Sequence, residues 1–148
     1  MKKLTIVISA LLLSATATAT DQSFSTNLKL YKPITITKTQ DLLFPDTTLT
    51  GTAFNIVVIP GGSGSANFNA QGGKNRTITK SVVESSINMS APGATGTIAV
   101  DTFALSGPTA FDSLGNATGI KVGATAHILA NTEDGNYSGT STLRVVYQ

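Results

Sequence analysis

The stretch "STLRVVYQ", residues 141–148, alternates apolar and polar side chains from Thr142 up to the terminus, with Val146 the one exception. Leu143, Val145 and Tyr147 share one face, Ser141 extends the same parity, and the even positions are mostly polar. A period of two places successive side chains on opposite faces of a strand, so the segment is predicted as a half-buried β-strand. The alternation runs to the last residue, and no later segment follows to pair with it. Soluble proteins blunt such an edge with charge, proline or cover, and here Arg144 alone does so. The strand is therefore expected to pair with something outside its own chain.

The same texture recurs upstream. "ITITK" (34–38) alternates cleanly, "TAFNIVVI" (52–59) reads as a more buried strand, and "ANF" resumes at Ala66. "RTITKSVV" and "SSINM" read as one strand with a bulge near Val82 and Val83. "GTIAVDTFAL" (96–105) ends at Gly107-Pro108, and "VGATAHILA" (122–130) precedes the turn-rich "NTEDGN". The last strand is predicted to begin near Tyr137. Thr, Ser, Gly, Asn, Val and Ile dominate, which favours strands and turns over helices. Seven to nine strands at this spacing predict an antiparallel β-sandwich.

The first nineteen residues have another character. "MKKLTIVISALLLSATATA" carries two lysines, an apolar run from Leu4 to Leu13 and then small residues, the layout of a secretory signal peptide. The apolar run is too short to span roughly 30 Å of hydrocarbon. The mature chain is thus expected to be exported, with no membrane insertion of its own. Loss of Lys2 and Lys3 reduces ten basic residues to eight against eight acidic ones, so the mature chain is near neutral. Nucleic-acid binding needs a basic footprint and is excluded on that ground. There is no cysteine, so neither a lipid anchor nor a disulfide is available. About 129 residues remain from Thr20, enough for one domain with a single core.

Catalytic chemistry has little to work with, and no enzyme activity is expected. His127 is the only histidine. In "VGATAHILA" the even positions Val122, Ala124, Ala126, Ile128 and Ala130 form the apolar face, so His127 points away from it. No Gly-x-Ser-x-Gly elbow places a nucleophile beside it; a hydrolase would need one. "PGGSGS" lacks the Gly-Lys-Ser/Thr ending of a phosphate loop and reads as a loop between strands. Glu133 and Asp134 cannot supply the six or more oxygens that calcium takes. No metal and no cofactor is expected.

The segment "TDQSFSTNLKLYKP" (20–33) stands apart. Phe24, Thr26, Leu28 and Leu30 fall on one face, and Ile34 and Ile36 keep the parity. "YKP" offers no tight-turn pair, and Lys32, before a proline, is biased to extended geometry. The segment is expected to project rather than double back on the next strand. Burying Phe24, Leu28 and Leu30 is worth about 5–9 kcal/mol, with about 1 kcal/mol net per ladder hydrogen bond. Ordering about eight residues costs roughly 8–16 kcal/mol. The two sides nearly cancel, so the tail orders only against a groove already built for it, as in strand addition to an open sheet.

In these features the chain resembles the chaperone–usher pilin subunits, whose final strand alternates and carries a penultimate tyrosine. Leu143, Val145 and Tyr147 match that strand, and Phe24 to Leu30 match the extended apolar segment. Through "ITITKTQDLLF" (34–44), "KVGATAHILA" (121–130) and "GNYSGTSTLRVVY" (135–147) it is more closely similar to small secreted bacterial proteins of unassigned function, some encoded near pilus assembly genes. It departs from the pattern in lacking a disulfide and in carrying Pro45 where glycine is usual. The resemblance implies an all-β, immunoglobulin-like antiparallel sandwich lacking one strand, which a donor strand completes. Residues 1–19 would then be the signal peptide, 20–32 the donor extension and 33–148 the sandwich. Phe24, Thr26, Leu28 and Leu30 would form the donor interface. Leu143, Val145 and Tyr147 would form the acceptor and chaperone-binding strand. The implied function is that of a structural subunit of a bacterial surface pilus, with identical or related subunits, a periplasmic chaperone and an outer-membrane usher as partners. The competing expectation is a self-complete secreted module that binds a surface ligand or carbohydrate, its tail closing its own sandwich.

Overall fold

Alternating sequence becomes alternating burial wherever two sheets face each other, and that contrast organises the fold. The computed structural model describes residues 20–148; the expected signal peptide, residues 1–19, lies outside them. The described residues form eight strands and no helix. In chain order these are β1 (Thr35–Gln40), β2 (Phe54–Val58), β3 (Ala66–Gln71), β4 (Ile78–Val82), β5 (Ile87–Ser90), β6 (Thr97–Ser106), β7 (Asn116–Ile128) and β8 (Leu143–Tyr147). All pairings are antiparallel, and the fold is an all-β, sandwich-like arrangement of two sheets.

The larger sheet has the order β1-β3-β7-β6-β5. Strand β2 also pairs with β7, along the half from Ala124 to Ile128, while β3 takes the half from Asn116 to Val122. Two strands thus share one edge of β7 in tandem, and "PGGSGS" forms the excursion between them. The second sheet is β4-β8. Sheet strands lie about 4.8 Å apart, so a two-stranded layer cannot cover one five strands wide. It covers Ala70, Ala117 and Ile120, which pack with Ile78, Phe111 and Val145 in one core cluster. A second cluster, Ile98, Val100, Ala124, Ala126 and Ile128, lies on the same sheet beyond it.

Two bulges reset the alternation. In β7, Ala117 and Ile120 both point inward, three residues apart, because Thr118 and Gly119 together oppose the single residue Asn69. Gly119 takes φ of +75° at this bulge, and its freed N–H donates to Asn69 Oδ1 at 3.1 Å. In β6 the register slips between Asp101 and Ala104, with Thr102 in the left-handed region at φ 51°. After each bulge the buried residues change parity, which keeps the twisted strand's apolar face on the core.

Several sequence expectations change. "RTITKSVV" and "SSINM" are two strands in different sheets: the chain leaves β4 at Val82 and joins the larger sheet as β5 at Ile87. "TAFNIVVI" is half-buried rather than buried, with Val57 and Ile59 exposed on the outer face. β7 begins at Asn116, well before Val122, and the last strand at Leu143 rather than near Tyr137. β1 is exposed along its whole length, because no element of the narrow second layer reaches it.

Candidate functional site

Strand β8 pairs with β4 alone among the described residues, so its other edge is open. The chemistry of that edge follows from which residues bond to β4. Val83 N–H donates to Thr142 O at 2.9 Å and Gln148 N–H to Thr77 O at 3.2 Å. Antiparallel ladders alternate bonded and non-bonded pairs, so Arg144 and Val146 spend their backbone groups on β4, while Thr142 O and Gln148 N–H bond to the residues just beyond its two ends. Leu143, Val145 and Tyr147 turn their N–H and C=O groups to the open edge. These are the residues whose side chains turn inward, with Val145 buried and its neighbours half-buried. One set of three residues therefore offers both an unpaired ladder and an apolar face.

Beside this strand the second core cluster is uncovered. An open cleft of about 1070 Å³ runs over it, floored by Phe54, Ile56, Ile98, Val100, Ala126 and Ile128. Protein interiors contain few voids larger than a water molecule, so a cleft this size lacks a layer of side chains. One wall is the run 41–49, which includes "DLLF"; the other is 132–141, ending on Leu143. Of the three residues expected on the acceptor strand, Leu143 lines this cleft. Val145 packs in the neighbouring cluster, and Tyr147 sits at the end of the strand against that cluster.

Two carboxylates hold the second wall. Glu84 accepts from Thr142 N–H at 2.7 Å and Ser141 Oγ at 3.3 Å; Glu133 accepts from Thr95 N–H and Oγ1, both at 2.9 Å. Ser90 and Ser138 exchange backbone bonds at 2.9 Å between them. The Thr142 backbone N–H is the main cause holding the Glu84 carboxyl below its ordinary range, and the Thr95 backbone N–H does the same for Glu133. A depressed carboxyl stabilises the fold above its unfolded value, about 4.3, and that contribution is lost as pH falls through the folded value. Acidification from about pH 6 to about pH 3 is therefore expected to raise the exchange of the Thr95 and Thr142 amides relative to their intrinsic rates. Glu84→Gln should remove the pH dependence at Thr142. Protection that stays constant over that range would contradict the clamp.

The tail is the other half of the arrangement. Residues 20–33 form no strand, and Phe24, Leu28 and Leu30 are 88 %, 80 % and 79 % exposed. Thr26, between them, is exposed as well. The tail touches the body at its base. Tyr31 stacks on Tyr147 with ring centroids 5.1 Å apart, and the Arg76 guanidinium lies 5.3 Å from the Tyr31 ring. Tyr147 Oη donates to Lys32 O at 2.5 Å and accepts from Gly73 N–H at 2.7 Å. Sequence reading singled out Tyr147 but not Tyr31, Gly73 or Arg76, which no local pattern distinguishes.

His127 lies on the outer face of the larger sheet, opposite the apolar residues of β7. Its Nε2 is 2.8 Å from Asp101 Oδ1 and its Nδ1 2.9 Å from Asn55 Oδ1. An ionised carboxylate only accepts, so Nε2–H donates to Asp101 Oδ1 and ties β7 to β6, while Nδ1 lies beside the Asn55 side-chain amide on β2. The hydrogen bond from His127, with a second from Thr102, holds the Asp101 carboxyl below its ordinary range. Both ring nitrogens are engaged by these strands. Among the described residues, no three His, Asp or Glu side chains gather into a group that could hold a metal.

No curated protein and no solved structure matches the chain. A family model described as a domain of unknown function (DUF4402) matches residues 45–147, from the cleft wall at Pro45 to the end of β8. That span takes in seven of the eight strands and is most of the sequence, and the chain belongs to this family.

Proposed function

We propose that the protein is a structural subunit of a bacterial surface pilus, exported through the inner membrane and assembled by donor-strand exchange. The observation that carries this reading is the open edge of β8 beside an uncovered apolar cleft, in a chain whose own alternating tail stands exposed. A strand laid along β8 would satisfy the N–H and C=O groups of Leu143, Val145 and Tyr147. Its inward side chains would cover Phe54, Ile56, Val100 and their neighbours. Phe24, Thr26, Leu28 and Leu30 of another copy have the spacing for this, two residues apart on one face. A tail on one part of the surface that fills a cleft on another is a head-to-tail contact, which builds a filament when the rotation it repeats does not close. Before assembly the exposed cleft needs a cover, the role of a periplasmic chaperone, with an outer-membrane usher passing subunits to the cell surface.

The test uses the chain with residues 20–32 removed. It is expected to stay monomeric and to melt at a higher temperature when a peptide of residues 20–32 is added, by the linkage that stabilises any state a ligand prefers. At peptide one hundred times its Kd the gain is about 2.7 kcal/mol. A truncated chain with the same oligomer size and the same melting temperature as the intact one, and indifferent to the peptide, would overturn the proposal in favour of a self-complete binding module.

A further inference from the structure

The tail is attached at the end of β8 that it would have to fill. Nothing in its length stops it from folding back: Phe24 to Leu30 extended spans about 20 Å, enough to run beside the five residues of β8. Such a tail would lie parallel to β8, with Leu30 near Tyr147 and Phe24 near Leu143. A subunit that filled its own cleft could not join a filament. We infer that the contacts around Tyr31 and Tyr147 are a register clasp, which keeps the tail's apolar face off its own molecule and presents it to a second copy. The inference rests on the donor-strand reading above.

The argument is one of parity. Tyr31 turns its ring onto Tyr147, which tilts in turn on the buried Phe111 at 5.9 Å. The Tyr31 face of the tail is therefore the face held against the body. Along an extended chain side chains alternate, so Lys29, Asn27 and Ser25 share that face, and Leu30, Leu28, Thr26 and Phe24 take the other. A tail that folded back from the clasp would offer its own cleft a lysine, an asparagine and a serine, and burying unpaired polar or charged groups is costly. Only a slip of one residue would bring the leucines and Phe24 inward. The clasp resists that slip at several points at once. Tyr147 Oη holds Lys32 O at 2.5 Å, Gly73 N–H holds Tyr147 Oη at 2.7 Å, and Arg76 lies against Tyr31. Pro33 fixes φ just beyond and keeps Lys32 extended. A second copy meets the tail from outside and has no such constraint.

The experiment is a phase test on the full mature chain: one serine inserted between Leu30 and Tyr31, and separately two serines at the same place. One residue inverts the parity of the tail relative to the clasp; two restore it. Sedimentation and thermal melting over a range of protein concentrations read the result. The native chain and the two-serine variant are expected to associate, with a melting temperature that rises with concentration. The one-serine variant is expected to lose association, and to melt above the chain lacking residues 20–32 at a temperature independent of concentration, because its tail now fills its own cleft. Association of all three chains alike would overturn the clasp and leave the donor-strand reading standing. A one-serine variant that is monomeric but no more stable than the truncated chain would also overturn the clasp. Absence of association in all three, with no effect of truncation, would overturn the reading on which it rests.

Discussion

Leu28→Asp is expected to abolish association while leaving the melting of the isolated subunit unchanged. In the single molecule Leu28 is 80 % exposed and touches no core, so its replacement should change folding stability by less than about 0.5 kcal/mol. In the assembled state it would lie over the cleft floor of Phe54, Ile56, Val100 and Ile128. Removing the leucine forfeits about 1.5–3 kcal/mol of burial, and the carboxylate that replaces it would be buried without a partner. Together these exceed about 3 kcal/mol, more than a hundredfold in affinity. Sedimentation at matched concentrations measures the loss, and a thermal melt of the dilute protein supplies the control. Association that survives the substitution would mean that Leu28 does not enter a partner's cleft.

Gly123→Ala is expected to destabilise the fold itself by about 3 kcal/mol or more. Gly123 lies in β7 where β2 gives way to the excursion that leads to β3, and the chain leaving β2 passes directly over it. A Cβ there would stand 2.1 Å from Val58 O and 2.8 Å from both Ile59 C and Pro60 N. These are backbone atoms, and Val58 is already paired with Ala124, so they cannot withdraw without breaking that pairing. Gly96→Ala is the matched control, since nothing lies within 4 Å of a Cβ at that position. Denaturant unfolding should show a large drop in midpoint for the first and almost none for the second. A Gly123→Ala protein as stable as the native one would contradict the close approach of β2 and β7.

What the sequence revealed and what it hid divide along a physical line. Alternation reports which face of a strand is apolar, and it placed Leu143, Val145 and Tyr147 on one face and His127 opposite Ala126 and Ile128. It cannot report where alternation is reset. Ala117 and Ile120 look out of phase until the bulge at Thr118 and Gly119 is known, so the first half of β7 was not legible. Nor can it show that a chain changes sheets: Val82 and Ile87 read as one strand because nothing local in "VESS" distinguishes a bulge from a crossing. The tail's parity was plain, but its clasp was not, because Tyr31, Gly73, Arg76 and Tyr147 come together only through the fold. The cleft walls were not legible: "DLLF" carried only a resemblance, and the Glu84 and Glu133 clamps join residues far apart in the chain.

Amide exchange at β8 tests the central claim most directly. In the chain lacking residues 20–32, the amides of Leu143, Val145 and Tyr147 face the open edge, whereas those of Arg144 and Val146 are already bonded to β4. Adding a peptide of residues 20–32 is expected to slow exchange at Leu143, Val145 and Tyr147 and to leave Arg144 and Val146 nearly as they were. Unchanged exchange at Leu143, Val145 and Tyr147 with saturating peptide would contradict the account, because no strand would then have been added to this edge.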